Sequence, residues 1–151
     1  MEERDRMQGL YRMIDANRNR VAEGLRVMED FTRFYREDRE LTERIRRIRH
    51  AVRKNLHSLE GKMLAARCAA RDPGREVSAD SDLDRKTGHL QLIAGNFRRA
   101  EEGIRVIEEA LHRLEMEELA KKYEGLRFRL YDLEKAVFLP TEKKQKMAFW
   151  E

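Results

Sequence analysis

Apolar residues recur at spacings of three and four along most of this chain, which is the period of helices with one buried face. Four such stretches follow one another, and polar turns or one longer connection separate them. The pattern therefore predicts a protein built from helices. The predicted helices span about 9–36, about 39–66, about 83 or 87 to 113, and about 117–139.

The second stretch is the longest, and it raises a question about shape. Its apolar residues recur at spacings of three and four from Leu41 to Ala66, and Gly61 interrupts this pattern. We expect a helix of about 30 residues, some 45 Å long, which would protrude from a compact body. Gly61 is the expected place for a kink or a break. Residues 1–8 carry no apolar period and are expected to lie outside the first helix.

The first and third helices contain two copies of one motif. Asn17 opens NRNRVAEGLRVMED, and Asn96, 79 residues downstream, opens NFRRAEEGIRVIEE, with 7 of 14 positions identical. A weaker match follows after a shift of one residue, where 41–52 aligns with 119–130. The repeat predicts two helical hairpins, at about 9–70 and 83–139, packed face to face in one all-α, four-helix bundle-like domain spanning 1–151.

Each copy places an Asn and a Gly on its apolar stripe. They are Asn17 with Gly24 and Asn96 with Gly103. A mid-helix Gly costs about 1 kcal/mol against Ala, and a buried amide needs a hydrogen-bonding partner. One interpretation is a close helix crossing at the two glycines, with the two amides pairing across a pseudo-two-fold axis. The other adds a ligand beside the charged and apolar residues that flank the stripe, namely Arg20, Glu23, Val27, Arg99, Glu102 and Val106.

Composition narrows the function classes. Charged residues make up 41 % of the chain, and 33 basic against 29 acidic side chains leave a net charge of +4. The signs are interleaved, which favours surface ion pairs over a nucleic-acid stripe. The charged start and the lack of any run of 18 apolar residues predict a soluble, cytoplasmic protein. The single cysteine, Cys68, cannot form an internal disulfide and is expected to be a buried thiol.

Standard catalytic motifs are not found in this sequence. It contains no glycine-rich phosphate loop, and His50, His57, His89 and His112 do not form metal-ligand pairs. Residues 71–82 form the long connection between the halves, where Ser81 or Asp82 would cap the third helix. What remains is arginine beside the repeated motif, which favours either Glu–Arg surface pairs or phosphate binding. The arginines that recur in both copies are Arg20, Arg26, Arg99 and Arg105.

These motifs resemble a known family. They are 14–34, with Asp15-Ala16-Asn17 and Glu23-Gly24-Leu25-Arg26-Val27; Ala65-Ala66-Arg67; Arg71-Asp72; Asn96 to Glu109; and Leu126-Arg127 to Lys135. The family is an all-helical domain of thiamin biosynthesis, an alternative hydroxymethylpyrimidine-phosphate kinase that occurs alone or fused in front of thiamine-phosphate synthase. At 151 residues the chain is too short to include the synthase barrel. The family's loop usually carries Asp-Val-Gly where this chain has Glu76-Val77-Ser78, which removes a glycine approach to phosphate.

The resemblance implies ATP-dependent phosphorylation of 4-amino-5-hydroxymethyl-2-methylpyrimidine phosphate to the diphosphate, with Mg²⁺. Arginines would contact the phosphates, the two amides would bind the aminopyrimidine edge, and carboxylates would hold Mg²⁺ or accept the proton of a hydroxyl. The phosphate candidates are Arg20, Arg49, Arg99 and Arg127. The amides are Asn17 and Asn96, and the carboxylates are Glu23, Glu102 and Asp72, with Glu23 and Glu102 as the magnesium candidates.

Two other functions remain open. One is a non-catalytic helical module that binds thiamin precursors or docks to thiamine-phosphate synthase. The other is a basic nucleic-acid binder, which rests on a sequence pI near 9.3 alone and is disfavoured. Apolar residues on the second helix, with Phe149 and Trp150, predict a homodimer.

Overall fold

The structure is a computed structural model and describes residues 2–68, 72–74 and 88–139. Within these ranges the chain is helical, without a β-strand, which confirms the all-α class. Four long helices form two hairpins, and a short helix follows the first hairpin. The helices are α1 (Glu3–Asp30), α2 (Arg39–Lys54), α3 (Glu60–Ala66), α4 (His89–Arg113) and α5 (Glu117–Phe138).

Helix α1 starts six residues earlier than the apolar period predicts, so the prediction that 1–8 lie outside it is wrong. Glu3 and Asp5 lie in its first turn, where acidic side chains favour the positive end of the helix dipole. The period had no means to detect this turn because the turn is mostly exposed. Helix α1 runs to Asp30 and continues as a π-helical turn over Phe31–Tyr35.

The long second helix is the main error of the sequence prediction. Helix α2 begins as predicted, where the Asp38 side chain accepts a hydrogen bond from the backbone N–H of Leu41 at 3.0 Å. It ends at Lys54, and a 3₁₀ turn over His57–Leu59 leads into α3. The break precedes Gly61, which lies inside α3.

The break lets the chain fold back onto α1, so the second stretch does not form the single protruding helix that was predicted. The buried residues beyond the break are Leu56, Leu59, Met63 and Ala66. Burial of these apolar side chains explains why the broken form is more stable than a straight helix, which would expose them.

Helices α4 and α5 match their predicted ends within one residue, except at the start of α4. Leu126, Leu130 and Leu133 are buried along the predicted seam of α5, while Leu119 is half-buried. The predicted cap at Ser81 or Asp82, the loop residues Glu76–Ser78 and the aromatic residues Phe149 and Trp150 lie outside the described residues.

The two hairpins share details that the sequence alignment only hints at. Glu37 and Glu115 occupy equivalent turns, and both have a left-handed backbone, with φ of 51° and 60°. The offset between the halves is 79 at the motif and 78 at these turns, so the first half holds one extra residue. A π-helical turn accommodates one more residue than an α-helical turn. The turn at Phe31–Tyr35 therefore accounts for the one-residue shift between the repeats.

The two repeated glycines form the close crossing of α1 and α4, as predicted. A Cβ added at Gly24 would lie 3.2 Å from the Asn96 carbonyl oxygen, and one at Gly103 would lie 2.6 Å from Val21 Cγ2 and 3.4 Å from the Asn17 carbonyl oxygen. The predicted pairing of the two amides is wrong. Each amide donates at 2.8 Å to a carbonyl one turn earlier in its own helix, Asn17 to Met13 and Asn96 to Leu92.

One apolar core lies between the hairpins. It includes Leu25, Met28, Ile45, Phe97, Ile104, Tyr123 and Leu130. The Tyr123 hydroxyl donates to the Val52 carbonyl across the α2–α5 contact, and burial raises the pKa of Tyr123. Within the described ranges, none of the helices combines the length and apolarity that a membrane span requires.

The crossing predicts that Gly103→Ala destabilises the protein. The added methyl group would overlap the buried Val21 side chain, whose χ1 angle has one strongly preferred rotamer in a helix. We expect the free energy of unfolding to fall by about 1–3 kcal/mol, the range for an overpacked core. Urea unfolding monitored by circular dichroism measures this change.

Gly125→Ala is the matched control, because Gly125 lies in α5 with nothing within 4 Å of an added Cβ. Helix propensity alone should raise the free energy of unfolding there by up to ~1 kcal/mol. Equal stabilisation by both substitutions would contradict the close crossing.

Candidate functional site

A cavity of about 510 Å³ opens between α1 and the segment after α3. Three of the site residues proposed from sequence meet there, namely Asn17, Arg20 and Asp72. Side chains one helical turn apart on α1 form one wall, because residues three and four apart share a helix face. The full lining is Gly9, Arg12, Met13, Asp15, Ala16, Asn17, Arg20, Arg67, Cys68 and Asp72.

Asp15 fixes the far wall of this cavity to α1. Its buried carboxylate accepts from Arg67 Nε at 2.6 Å and from Arg67 Nη2 at 3.0 Å, and also from Arg18 at 3.1 Å. Arg18 in turn pairs with Glu60 at the start of α3. The hydrogen bond with Asp15 raises the pKa of Arg67, so this guanidinium stays charged. Sequence reasoning did not select Asp15, Arg67 or Arg12, although the first two belong to the family motifs.

Two other guanidinium groups at the cavity have no carboxylate partner among the described residues. Arg12 donates to the Cys68 carbonyl at 3.2 Å, and Arg20 lies 3.5 Å from Asn17 Oδ1. Asp72 accepts from the Gly74 backbone N–H at 2.9 Å with one oxygen, Oδ1. The cavity thus presents arginine donors, a buried amide and a carboxylate, which is a combination suited to a phosphate-bearing ligand.

Asn96 and Arg99, the counterparts of Asn17 and Arg20 in the second half, lie near Gly24. A Cβ at Gly24 would contact Asn96 Oδ1 at 3.5 Å and Arg99 Cδ at 3.9 Å. Both asparagines, Asn17 and Asn96, are buried, and both arginines, Arg20 and Arg99, are exposed. The repeat therefore places each asparagine against the glycine of the other helix, and Arg99 also lies near Gly24.

Arg49 and Arg127 have different surroundings. Arg49 contacts the buried carboxylate of Glu29 with Nε and Nη2, both at 3.0 Å. Arg127 binds both oxygens of buried Glu108, at 2.6 and 3.1 Å, and this bonding raises the pKa of Arg127. These pairs tie α2 to α1 and α5 to α4. Phosphate contact by the two arginines stays a prediction. Their Nε and Nη2 groups already contact Glu29 and Glu108.

The exposed partners of these pairs follow the same symmetry. Arg26 lies 3.3 Å from Glu29, and Arg105 lies 3.7 Å from Glu108. The recurrence of both glutamates in the motif was the signal for these buried carboxylates. Sequence reasoning grouped them with the surface charges, because helical spacing alone does not show which charge is buried.

The remaining carboxylate candidates, Glu23 and Glu102, are exposed and are not part of the cavity lining. No cluster of three or more His, Cys, Asp or Glu side chains suited to a metal ion occurs in the part of the chain that the structure describes. Cys68, predicted to be buried, is half-buried at the cavity.

The sequence matches a known protein family over most of its length. The ThiD2 family model matches residues 12–136, most of the chain. The chain belongs to the ThiD2 family. The resemblance to the thiamin-biosynthesis domain found with thiamine-phosphate synthase is thereby confirmed, and all the cavity residues except Gly9 fall within the matched range.

Curated relatives of this ThiD2 chain bear the name thiamine-phosphate synthase. One from Thermosynechococcus vestitus is 41 % identical over 87 % of this chain and 36 % of its own length. Others, from Prochlorococcus marinus and Nostoc punctiforme, are 37 % and 35 % identical over 83 % and 84 % of this chain, and over 34 % and 35 % of their own lengths. The chain therefore spans about a third of the relatives it matches. No solved structure matches it significantly.

A carboxyl pair between α4 and α5 belongs to the second half alone. Glu101 shares a hydrogen bond with Glu134, and burial together with this bond raises the pKa of Glu101 to about 8, although Arg98 lowers it. One Glu101 oxygen is buried without another partner. The equivalent positions in the first half are Ala22 and Leu56, both buried and apolar.

This pair predicts that stability falls as pH rises. The folded state holds a proton on Glu101 up to about pH 8, whereas the unfolded chain releases it near its ordinary pKa of 4.5. The stabilising contribution is complete below about pH 4.5 and is lost towards pH 8. Glu101→Gln should therefore raise Tm above wild type at pH 8.5 by about 2–4 °C, roughly 1 kcal/mol after allowing for solvent screening.

Thermal unfolding at pH 5 and pH 8.5 checks this prediction, with Glu124→Gln, an exposed position of α5, as control. The gain from Glu101→Gln should shrink at pH 5. The same gain at both pH values, or an equal gain from the control, would argue against a shared proton.

Proposed function

We propose that this chain transfers the γ-phosphoryl group of ATP to 4-amino-5-hydroxymethyl-2-methylpyrimidine phosphate and yields the diphosphate. The observation that carries the proposal is the cavity where Arg12 and Arg20, which have no carboxylate partner in the described part of the chain, meet Asn17 and Asp72. Membership of the ThiD2 family and the thiamine-phosphate synthase names of its relatives support a role in thiamin biosynthesis.

The acceptor in this reaction is the phosphate group of the pyrimidine monophosphate, and its chemistry determines which catalytic groups the protein must supply. A phosphate oxygen of the pyrimidine monophosphate attacks the γ-phosphorus of ATP, the bond from this phosphorus to the β,γ-bridging oxygen breaks, and ADP leaves with the electron pair. A phosphate monoester is largely ionised at pH 7, because its second pKa is about 6. No general base has to remove a hydroxyl proton. Positioning and charge neutralisation therefore provide the catalysis.

The cavity residues then take distinct roles. Arg12 and Arg20 hold the substrate phosphate, because guanidinium groups bind phosphate oxygens with paired donors. Asn17 uses one amide proton within its own helix, so its remaining amide donor and its carbonyl oxygen read the aminopyrimidine edge. Arg67 is held by Asp15 and keeps the wall in place.

Magnesium fits the carboxylate of Asp72. Mg²⁺ is usually bound by one or two carboxylates together with substrate phosphates and water, so a cluster of three acidic ligands is not required. Asp15 is already engaged by Arg67 and Arg18, which leaves Asp72 as the available carboxylate of this cavity. Bound there, Mg²⁺ would neutralise charge on the transferring phosphates. Glu23 and Glu102, both outside the lining, are less suited to this role.

The second candidate is a non-catalytic module that binds the pyrimidine phosphate or associates with thiamine-phosphate synthase. The observation that favours it is the coverage, since the chain spans about a third of relatives that bear the synthase name. Such a module would be stabilised by the pyrimidine phosphate but would consume no ATP.

A coupled assay of ADP release tests the proposal. The purified chain with ATP and Mg²⁺ should release ADP only when the pyrimidine monophosphate is present. Arg20→Gln should lower kcat/KM by about 10²–10³-fold, the loss typical of one donor that stabilises transition-state charge. Arg53→Gln, an exposed arginine of α2 outside the cavity, is the control and should stay within about twofold of wild type.

Absence of the diphosphate product from a folded sample saturated with Mg²⁺ would overturn the kinase assignment. In that case, an increase in Tm with the pyrimidine monophosphate alone would support the binding module.

A further inference from the structure

A second cavity, of about 250 Å³, lies between α2 and α5 and shares no residue with the first. Arg44 and Arg47 of α2 and Arg129 of α5 line it, together with Asp132, and Ile48 is the apolar member of the lining. Three guanidinium groups against one carboxylate leave a local net charge of +2. Asp132 and the arginines Arg47 and Arg129 are exposed, while Arg44 is half-buried.

Several other arginines of the described helices form ion pairs with carboxylates, whereas these three do not. Elsewhere, charges pair one turn apart, as in Arg39 with Glu43 at 3.4 Å and Arg26 with Asp30 at 3.7 Å. Glu43 lies one turn before Arg47 but contacts Arg39 instead. Among the described residues, no carboxylate lies within ion-pair distance of the three arginines. The three guanidinium groups therefore form no direct ion pair, and Asp132 offsets only part of their charge.

The cluster is not a by-product of the repeat. With the offset of 78 that applies to these helices, Arg47 corresponds to Gly125, Arg129 to Ala51 and Asp132 to Lys54. Arg44 corresponds to Lys122, so only one of the three arginines has a basic counterpart. The helix-packing positions, in contrast, are apolar in both halves, as Ile48 and Leu126 are. The three arginines therefore belong to one side of the α2–α5 contact and are not needed to build the bundle.

We propose that this cavity is a binding site for a phosphate-type oxyanion, separate from the ATP and pyrimidine-phosphate chemistry. Guanidinium groups match tetrahedral oxyanions through paired N–H donors, and arginines from two helices enclose such an anion from two sides. At ~30 Å³ per water, the cavity has room for about eight water volumes, enough for one phosphate with part of its hydration shell. The ligand is free phosphate, pyrophosphate or the phosphate end of a small molecule.

Calorimetric titration of the full chain with inorganic phosphate, and in parallel with pyrophosphate, tests the site. The titration uses an Arg12→Gln/Arg20→Gln background, which removes both guanidinium groups proposed to hold phosphate in the first cavity, and constant ionic strength, so that screening does not change. The test variant adds Arg47→Gln and Arg129→Gln. The control adds Arg46→Gln and Arg53→Gln, which remove the same charge from exposed positions of α2 outside this lining.

We expect saturable binding that the test variant weakens at least tenfold and the control weakens less than twofold. Tighter binding of pyrophosphate than of phosphate would identify a polyphosphate ligand, and equal affinity would identify a single phosphate group. Equal weakening by both variants would show diffuse electrostatic attraction, and lack of binding would likewise overturn the site. Neither result bears on the kinase proposal, because ADP release is measured separately and depends on the first cavity.

Discussion

Helices α1 and α4 approach each other closely at two points, and at each point one helix has a glycine. This close crossing organises the protein. Gly24 faces the backbone of Asn96, and Gly103 faces Val21 and the backbone of Asn17. The two contacts are reciprocal, so α1 and α4 are fixed in both distance and register. Each asparagine amide donates a hydrogen bond to a carbonyl of its own helix. Both asparagines can therefore be buried without a hydrogen bond across the crossing. Asn17, which lines the first cavity, lies at this crossing.

The arginines near the crossing differ in whether they pair with a buried carboxylate. Glu29 with Arg49 and Glu108 with Arg127 join the helices within each hairpin, and each glutamate is almost fully buried. A buried carboxylate requires such a partner, because its desolvation is costly when it stands alone. Among the described residues, Arg12 and Arg20 have no carboxylate partner, and they line the first cavity. The guanidinium groups named here thus fall into two sets, one paired with a buried carboxylate and one without such a pair.

Sequence patterns predicted what depends on local spacing. The repeat indicated two hairpins and the glycine crossing, and it brought Asn17 and Arg20 to one site. The break at Asn55–Leu59 escaped prediction because Val52, Leu56, Leu59 and Met63 keep helical spacing across it, so a straight and a folded-back chain share one pattern. Asp15 and Arg67 are 52 positions apart, and Arg49 and Glu29 are 20 apart. Helical periodicity carries no information about contacts over such separations.

We propose one division of roles, in which Arg12 and Arg20 of the first cavity bind the ligand while Arg49 and Arg127 hold the helices together. Nuclear magnetic resonance of ¹⁵N-labelled arginine side chains, during titration with the pyrimidine monophosphate, tests it most directly. We expect saturable shifts of the Nε–H signals of Arg12 and Arg20, with those of Arg49 and Arg127 unchanged. Shifts confined to Arg49 and Arg127, with Arg12 and Arg20 unaffected, would contradict it.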